Sequence, residues 1–205
     1  MTYTIHAFII KKTSTREYDR TFTLYSSEHG KMKVLAQGVK KISSKLSGSL
    51  DLLNFAKFTI AKGKQVDRIA TVDLRETFEP IKRDMKKLIC ALYCMDVVDA
   101  LVQDGQRDDD LFALVDDVLN SLASCSQSRV TAIACAFLVK LRLQCGYGFS
   151  KHHKHLPEHL FEKKLSIIAT SADIKLLVQL ARAFISEYVE KELKSQVFFD
   201  YLYTQ

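Results

Sequence analysis

Eight lysines, Lys31, Lys33, Lys40, Lys41, Lys45, Lys57, Lys62 and Lys64, crowd residues 31–64 with one acid, Asp51, among them. Ammonium groups at this density suit one chemistry above others. They neutralise phosphates and release the counterions condensed on a nucleic acid, so that binding weakens steeply with salt. Arg16 and Arg20 stand just ahead of the run, and Tyr18 and Tyr25 are rings on which unpaired bases could stack. The competing reading is a solvated lysine surface that serves solubility. Against it, the chain's formal charge of +6 is segregated: residues 1–80 hold 14 basic and 8 acidic side chains, and residues 81–205 hold 16 of each. No helix-turn-helix or zinc-finger spacing is present, so recognition is expected to be largely independent of base sequence.

A second group with reactive side chains is Cys145, His152, His153, His155 and His159. Thiolate and imidazole are good zinc ligands, and His152-x-x-His155 or His155-x-x-x-His159 could chelate. Yet the sequence has no Cys-x-x-Cys pair, and a polar loop with solvent-facing histidines explains the same residues. The expectation is no metal and no cofactor. Cys90 and Cys94, one helical turn apart, read as core thiols. A nucleophile elbow, a glycine-rich phosphate loop and an H-E-x-x-H motif are all missing, so an enzyme is not expected. The acids Asp108–Asp110 and Asp116–Asp117 fit a helix start and a solvated helix face. Near the C-terminus, Phe184 and Tyr188 with Lys191 and Lys194 could form a groove for an acidic, apolar-ended peptide; the same aromatics could instead close a helical core.

The elements that must position these groups follow from periodicity. Segments 2–11, 20–26, 31–37, 51–61 and 65–74 alternate apolar and polar residues, with Gly30 ending the second turn at positive φ and Lys62-Gly63-Lys64 joining the last two strands. Five such strands without an intervening helix suggest a small antiparallel barrel, most economically of the OB type. After Pro80 the period becomes helical: Ile81, Met85, Leu88, Ile89, Leu92 and Met95 lie on one stripe. Further helices are expected after Asp108, over Arg129–Cys145 at the centre of a bundle, and from Asp173 to about Leu193 or on to Tyr203, as one long helix or two short ones. The fold class is therefore α+β: a five-stranded barrel over 1–78 and an all-α helical domain over 79–205. Hydrophobic content of 47 % with 26 % charge excludes a disordered chain, and no apolar run is long enough to span a bilayer. With five cysteines, an odd number, and no basic start before the short apolar stretch MTYTIHAFIIKK, the expected location is the cytoplasm.

Several of these segments together resemble the RecO family of bacterial recombination mediators. The N-terminal half carries HAFIIKK, then Glu17-Tyr18-Asp19-Arg20, LYSSEHGKMKVLAQGVKK, Ser44-Lys45 and GSLDLLNF. Further on, FLVKLRLQCGYGF (137–149) is similar to the family's Leu-rich helix ending in Gly-Tyr, and YVEKELKSQVFFDYL (188–202) to its closing helix. Many members carry two Cys-x-x-Cys pairs after the Gly-Tyr; here that stretch is SKHHKHLPEHLFEKK, so zinc is not carried over. The resemblance implies an OB-fold DNA-binding domain followed by a helical partner-binding domain. It further implies binding of single- and double-stranded DNA, annealing of complementary strands, and contact with RecR and with the acidic tail of single-stranded-DNA-binding protein. Through these it implies loading of RecA, in a cytoplasmic, nucleoid-associated protein. The basic positions that match are Arg16, Arg20, Lys31, Lys33, Lys40, Lys41 and Lys45. An RNA-binding regulatory OB protein is the alternative, and an enzyme built on a metal at 145–159 a more remote one.

Overall fold

The alternating apolar residues of the first 80 positions close on one another. The computed structural model describes residues 1–14, 18–39, 48–147, 164–171, 174–189, 193, 195 and 197. Five strands form: β1 (Thr2–Ser14), β2 (Arg20–Ser26), β3 (Gly30–Ala36), β4 (Phe55–Ala61) and β5 (Asp67–Glu76). They make a closed barrel in the order β1-β2-β3-β5-β4. All neighbours are antiparallel except β3 and β5, which meet in parallel at Val34–Asp67 and Leu35–Arg68. This is the expected OB-type barrel. Its interior is filled by Ile5, Ala7 and Ile9 of β1, Phe22 and Leu24 of β2, Val34 and Ala36 of β3, and Ala56, Phe58 and Ile60 of β4. Each large apolar side chain taken fully from water stabilises the fold by about 1.5–3 kcal/mol.

The strand ends depart from the sequence expectation for identifiable reasons. β1 runs to Ser14 rather than residue 11, because Lys11–Ser14 find partners in Thr23–Arg20. β4 begins at Phe55, not Asp51: Leu53 sits at φ 69 and the Asn54 N–H donates to the Asp51 carbonyl (3.3 Å), so 51–54 turn instead of extending. β5 begins at Asp67 because its carboxylate accepts the Gly63 N–H and closes the preceding turn.

Helices follow: α1 (Glu79–Lys82), α2 (Met85–Leu101), α3 (Asp109–Ser124), α4 (Val130–Gln144), α5 (Leu165–Ser171) and α6 (Ile174–Tyr188). The single helix expected from Pro80 is broken after α1. Asp84 Oδ1 accepts the Lys87 N–H and starts α2 afresh, which changes the helical phase. Met85, expected on the buried stripe, is consequently 72 % exposed. Asp108 Oδ1 accepts the Leu111 N–H at the start of α3, the role anticipated for these acids. α4 is buried along almost its whole length and packs against α2, α5 and α6, as a bundle centre should. Cys90 and Cys94 are buried as expected of core thiols; Cys135 is buried too, whereas Cys125 and Cys145, at or near helix ends, are only half-buried. Among the described residues, no helix is long and apolar enough to cross a membrane.

The chain packs as two compact units. One joins Met1–Phe78 with Val102–Phe112; the other joins Glu79–Leu101 with the described residues from Ala113 onward. Segment 102–112 lies between two helices in sequence and nonetheless belongs with the barrel. It matters for the site.

Candidate nucleic-acid interface

Register determines which cations become neighbours. One outward row runs Thr13–Thr21–Leu35–Arg68–Ala61 through β1, β2, β3, β5 and β4. At about 4.8 Å per strand, its four steps trace roughly 19 Å of arc around the closed barrel. Arg68 lies on this row, exposed, with its Nη1 3.4 Å from Gln37 Oε1, and the turn after Ala61 adds exposed Lys62 and Lys64. Arg20, half-buried at the start of β2, is in register with Ser14 and Ala36. Asp19 Oδ1 accepts the Gly38 N–H (2.8 Å), tying the β1–β2 connection to the residues that follow β3. Lys12 Nζ is 2.9 Å from Asp51 Oδ1. Arg16, Lys40, Lys41 and Lys45 lie outside the described residues; those that flank them, Ser14, Arg20 and Ala36, share one rung.

The acids near this row are already engaged. Asp67 accepts the Tyr3 hydroxyl and the Gly63 N–H, and these bonds, Tyr3's first, hold its carboxyl below the usual range. Lys11, Lys12 and Arg68 were not among the cations singled out from sequence. Periodicity alone cannot reveal the parallel β3–β5 closure that brings Arg68 beside Leu35, and the extension of β1 past residue 11 is what places Lys12 on a strand.

Lys31 and Lys33 face a different environment. Lys31 is 7 % exposed, with its Nζ 3.2 Å from Asp104 Oδ1, while Lys33 keeps 60 % of its side-chain surface and lies 3.2 Å from Asp104 Oδ2. Burial pushes the Asp104 carboxyl up, but the hydrogen bonds from Lys33 and Lys31 outweigh it and hold the group below the usual carboxylate range. The segment is fixed by backbone as well: Asp104 bridges Lys31, and the Gly105 N–H donates to the Lys31 carbonyl (2.8 Å). Gly30 stands at φ 65 with the Gln106 carbonyl where a Cβ would be, 1.9 Å away. Tyr25, expected to offer a ring to bases, is instead fully buried, with the Phe112 ring 6.2 Å from its own and 5.3 Å from Phe8. Tyr18 is 47 % exposed.

Segment 102–112 also changes the charge. Residues 1–78 carry 14 basic and 7 acidic side chains, and 102–112 adds one basic and four acidic, taking the unit from +7 to +4. Among the barrel cations, Lys62, Lys64 and Arg68 are exposed, and Lys33 is exposed beside Asp104.

In the helical unit, Phe184 is fully buried, with its ring 6.1 Å from that of Tyr147 and 5.9 Å from that of Tyr188. Arg142, 3 % exposed, places its guanidinium 5.8 Å from Phe184 and 5.1 Å from Tyr188, and its Nη2 donates to Glu187 Oε2 at 3.3 Å. Phe184 is thus part of the core, with Tyr188 at its edge; Lys191 and Lys194 lie outside the described residues. Cys145 ends α4 with its N–H donating to the Leu141 carbonyl, and His152, His155 and His159 lie outside the described residues. Among the described residues, no three potential ligands come together to fit a metal ion.

Comparison with known proteins gives matches over both units. The family model for the N-terminal part of recombination protein O matches residues 1–78, and that for its C-terminal part matches 82–156. The DNA repair protein RecO of Desulforamulus reducens is 27 % identical over 245 aligned positions, covering 98 % of this chain and 95 % of that protein. Its counterpart in Pelotomaculum thermopropionicum is 30 % identical over 145 positions, covering 71 % of this chain and 56 % of that protein. The Desulfitobacterium hafniense protein of the same name is also 30 % identical over 145 positions, covering 71 % and 52 % respectively.

Proposed function

The chain belongs to the recombination protein O (RecO) family, and from this premise we propose that it serves DNA repair as a non-enzymatic recombination mediator. In this reading it binds single- and double-stranded DNA without regard to sequence and anneals complementary strands. The observation that carries it is the exposed cations Arg68, Lys62 and Lys64 on and beside one outward row of the barrel, with half-buried Arg20 on the adjacent rung and nearby acids already engaged. Arg16, Lys40, Lys41 and Lys45 would add four further cations to the nucleic-acid contacts. Cations that neutralise two phosphate backbones at once reduce the repulsion between strands, so complementary bases can meet. Lys31 contributes by holding the barrel together, and Lys33 by its exposed ammonium.

The helical unit, on the same proposal, docks protein partners: RecR, and the acidic tail of single-stranded-DNA-binding protein, with RecA loading as the outcome. The tail would meet Tyr188, Lys191 and Lys194, with Phe184 supporting Tyr188 from the core. The test is annealing of complementary oligonucleotides precoated with single-stranded-DNA-binding protein, with and without that protein's acidic tail. Acceleration that depends on the tail and weakens on replacing Lys191 and Lys194 is expected. No acceleration in either case overturns the proposal.

A further inference from the structure

Two lysines share one acid, and they are held very differently. Lys31 is buried against Asp104, whose backbone is fixed by the bridge to Lys31, by the Gly105–Lys31 hydrogen bond and by the close approach of Gln106 to Gly30. Lys33 shares an outward row with Thr23 and Lys11 and keeps most of its side chain in solvent. The Asp104 backbone is therefore held in place and its carboxylate retained by buried Lys31, whereas the Lys33 ammonium, on a flexible four-carbon stem, is free to swing away. An exposed ion pair of this kind is weakly held and exchanges readily.

We propose that Asp104 is a resident competitor of DNA phosphate for Lys33. A carboxylate and a phosphodiester both present anionic oxygens to an ammonium donor. While Asp104 is present, Lys33 stays paired with it in most DNA-bound molecules and reaches a phosphate in only a fraction of them; Lys31 stays with Asp104 throughout and keeps segment 102–112 in place. The acid thus holds one phosphate contact in reserve and moderates the affinity of the whole surface. This inference rests on the DNA-binding reading above.

The experiment measures binding of a fluorescent single-stranded oligonucleotide by the full chain as a function of salt. In Asp104→Asn, Lys33 is released. The slope of log K against log salt should steepen by about 0.7, the contribution of one more phosphate on a single strand. Between about 0.2 M and about 0.05 M salt, that adds roughly a two- to threefold gain in affinity over the unaltered chain. The gain must pass through Lys33, so Asp104→Asn in a Lys33→Ala background should give none. Should Asp104→Asn fold poorly because of buried Lys31, the double variant D104N/K31M removes both charges and should show the same steepening. An unchanged slope in D104N and D104N/K31M, or an equal gain in the Lys33→Ala background, overturns the inference alone. Absence of any DNA binding by the unaltered chain overturns this inference together with the proposed function.

Discussion

Replacing Gly30 by alanine tests whether segment 102–112 is an integral part of the barrel. Two separate effects act at this position. At φ 65 an alanine is in the left-handed region, which costs about 1–2 kcal/mol. The added Cβ would also lie 1.9 Å from the Gln106 carbonyl oxygen, against an ordinary contact of at least 3.4 Å, so the segment must move away from the hairpin. That movement breaks the Gly105–Lys31 hydrogen bond, worth about 1 kcal/mol, and lifts part of Phe112 from Phe8 and Tyr25. Gly105 supplies the control. It has φ 78 but nothing within 4 Å of its would-be Cβ, so Gly105→Ala bears the backbone cost alone. Gly30→Ala should therefore be destabilised by roughly 3–4 kcal/mol and Gly105→Ala by about 1–2 kcal/mol. With a urea m-value of about 2 kcal/mol/M, the two midpoints should differ by about 1 M. The chain has no tryptophan, so circular dichroism follows unfolding, and hydrogen exchange at the residue 105 amide reports on the segment directly. Coincident midpoints, with the amide equally protected in both variants, would refute the argument.

Reversing the charges of Lys40, Lys41 and Lys45 together should weaken DNA binding by a similar factor across sequences and flatten the salt slope by about one per lost phosphate contact, measurable by fluorescence anisotropy; unchanged affinity and slope would remove those lysines from the mechanism. Tyr3→Phe should raise the Asp67 carboxyl towards its ordinary value, seen by NMR titration, because the Tyr3 hydroxyl is the main group holding it down. Since that carboxyl is depressed in the folded state, its contribution is fully present above about pH 4 and is lost as pH falls through the folded-state value; the stability gap between Tyr3→Phe and the parent should close in strong acid. With a thiol-reactive disulfide reagent, Cys125 and Cys145 should react well before Cys90 and Cys94. Burial pushes the Cys90 thiol up to about 12 and Cys94 well above its usual value. Faster reaction at Cys94 than at Cys145 would contradict this.

Much of the fold was legible before any coordinates, because its determinants are local. Alternation along Ile5-Ala7-Ile9 and Phe22-Leu24 identifies strands whose one face must be buried, and the run Val130–Gln144 can only be a helix buried on nearly all sides. Gly30 and Asp108 announce a turn and a helix start for equally local reasons. The excess of cations over 31–64 likewise needs only the sequence to be seen. Where prediction failed, a distant residue was responsible. Tyr25 alternates like an exposed strand residue and is covered by Phe112; Lys31 sits in the charge run and is covered by Asp104.

The sequence by itself therefore determined a basic barrel followed by helices and the polyanion chemistry of its lysines, since composition and period are properties of neighbours along the chain. Only the tertiary structure decided which of those lysines can meet a phosphate. That choice depends on the parallel β3–β5 closure, which adds Arg68, and on an acidic segment some seventy residues from Lys31 that takes it out of solvent, shares Lys33 and lowers the barrel unit's charge from +7 to +4. Pairing and burial across such separations are set by how whole elements pack, and no local pattern encodes them.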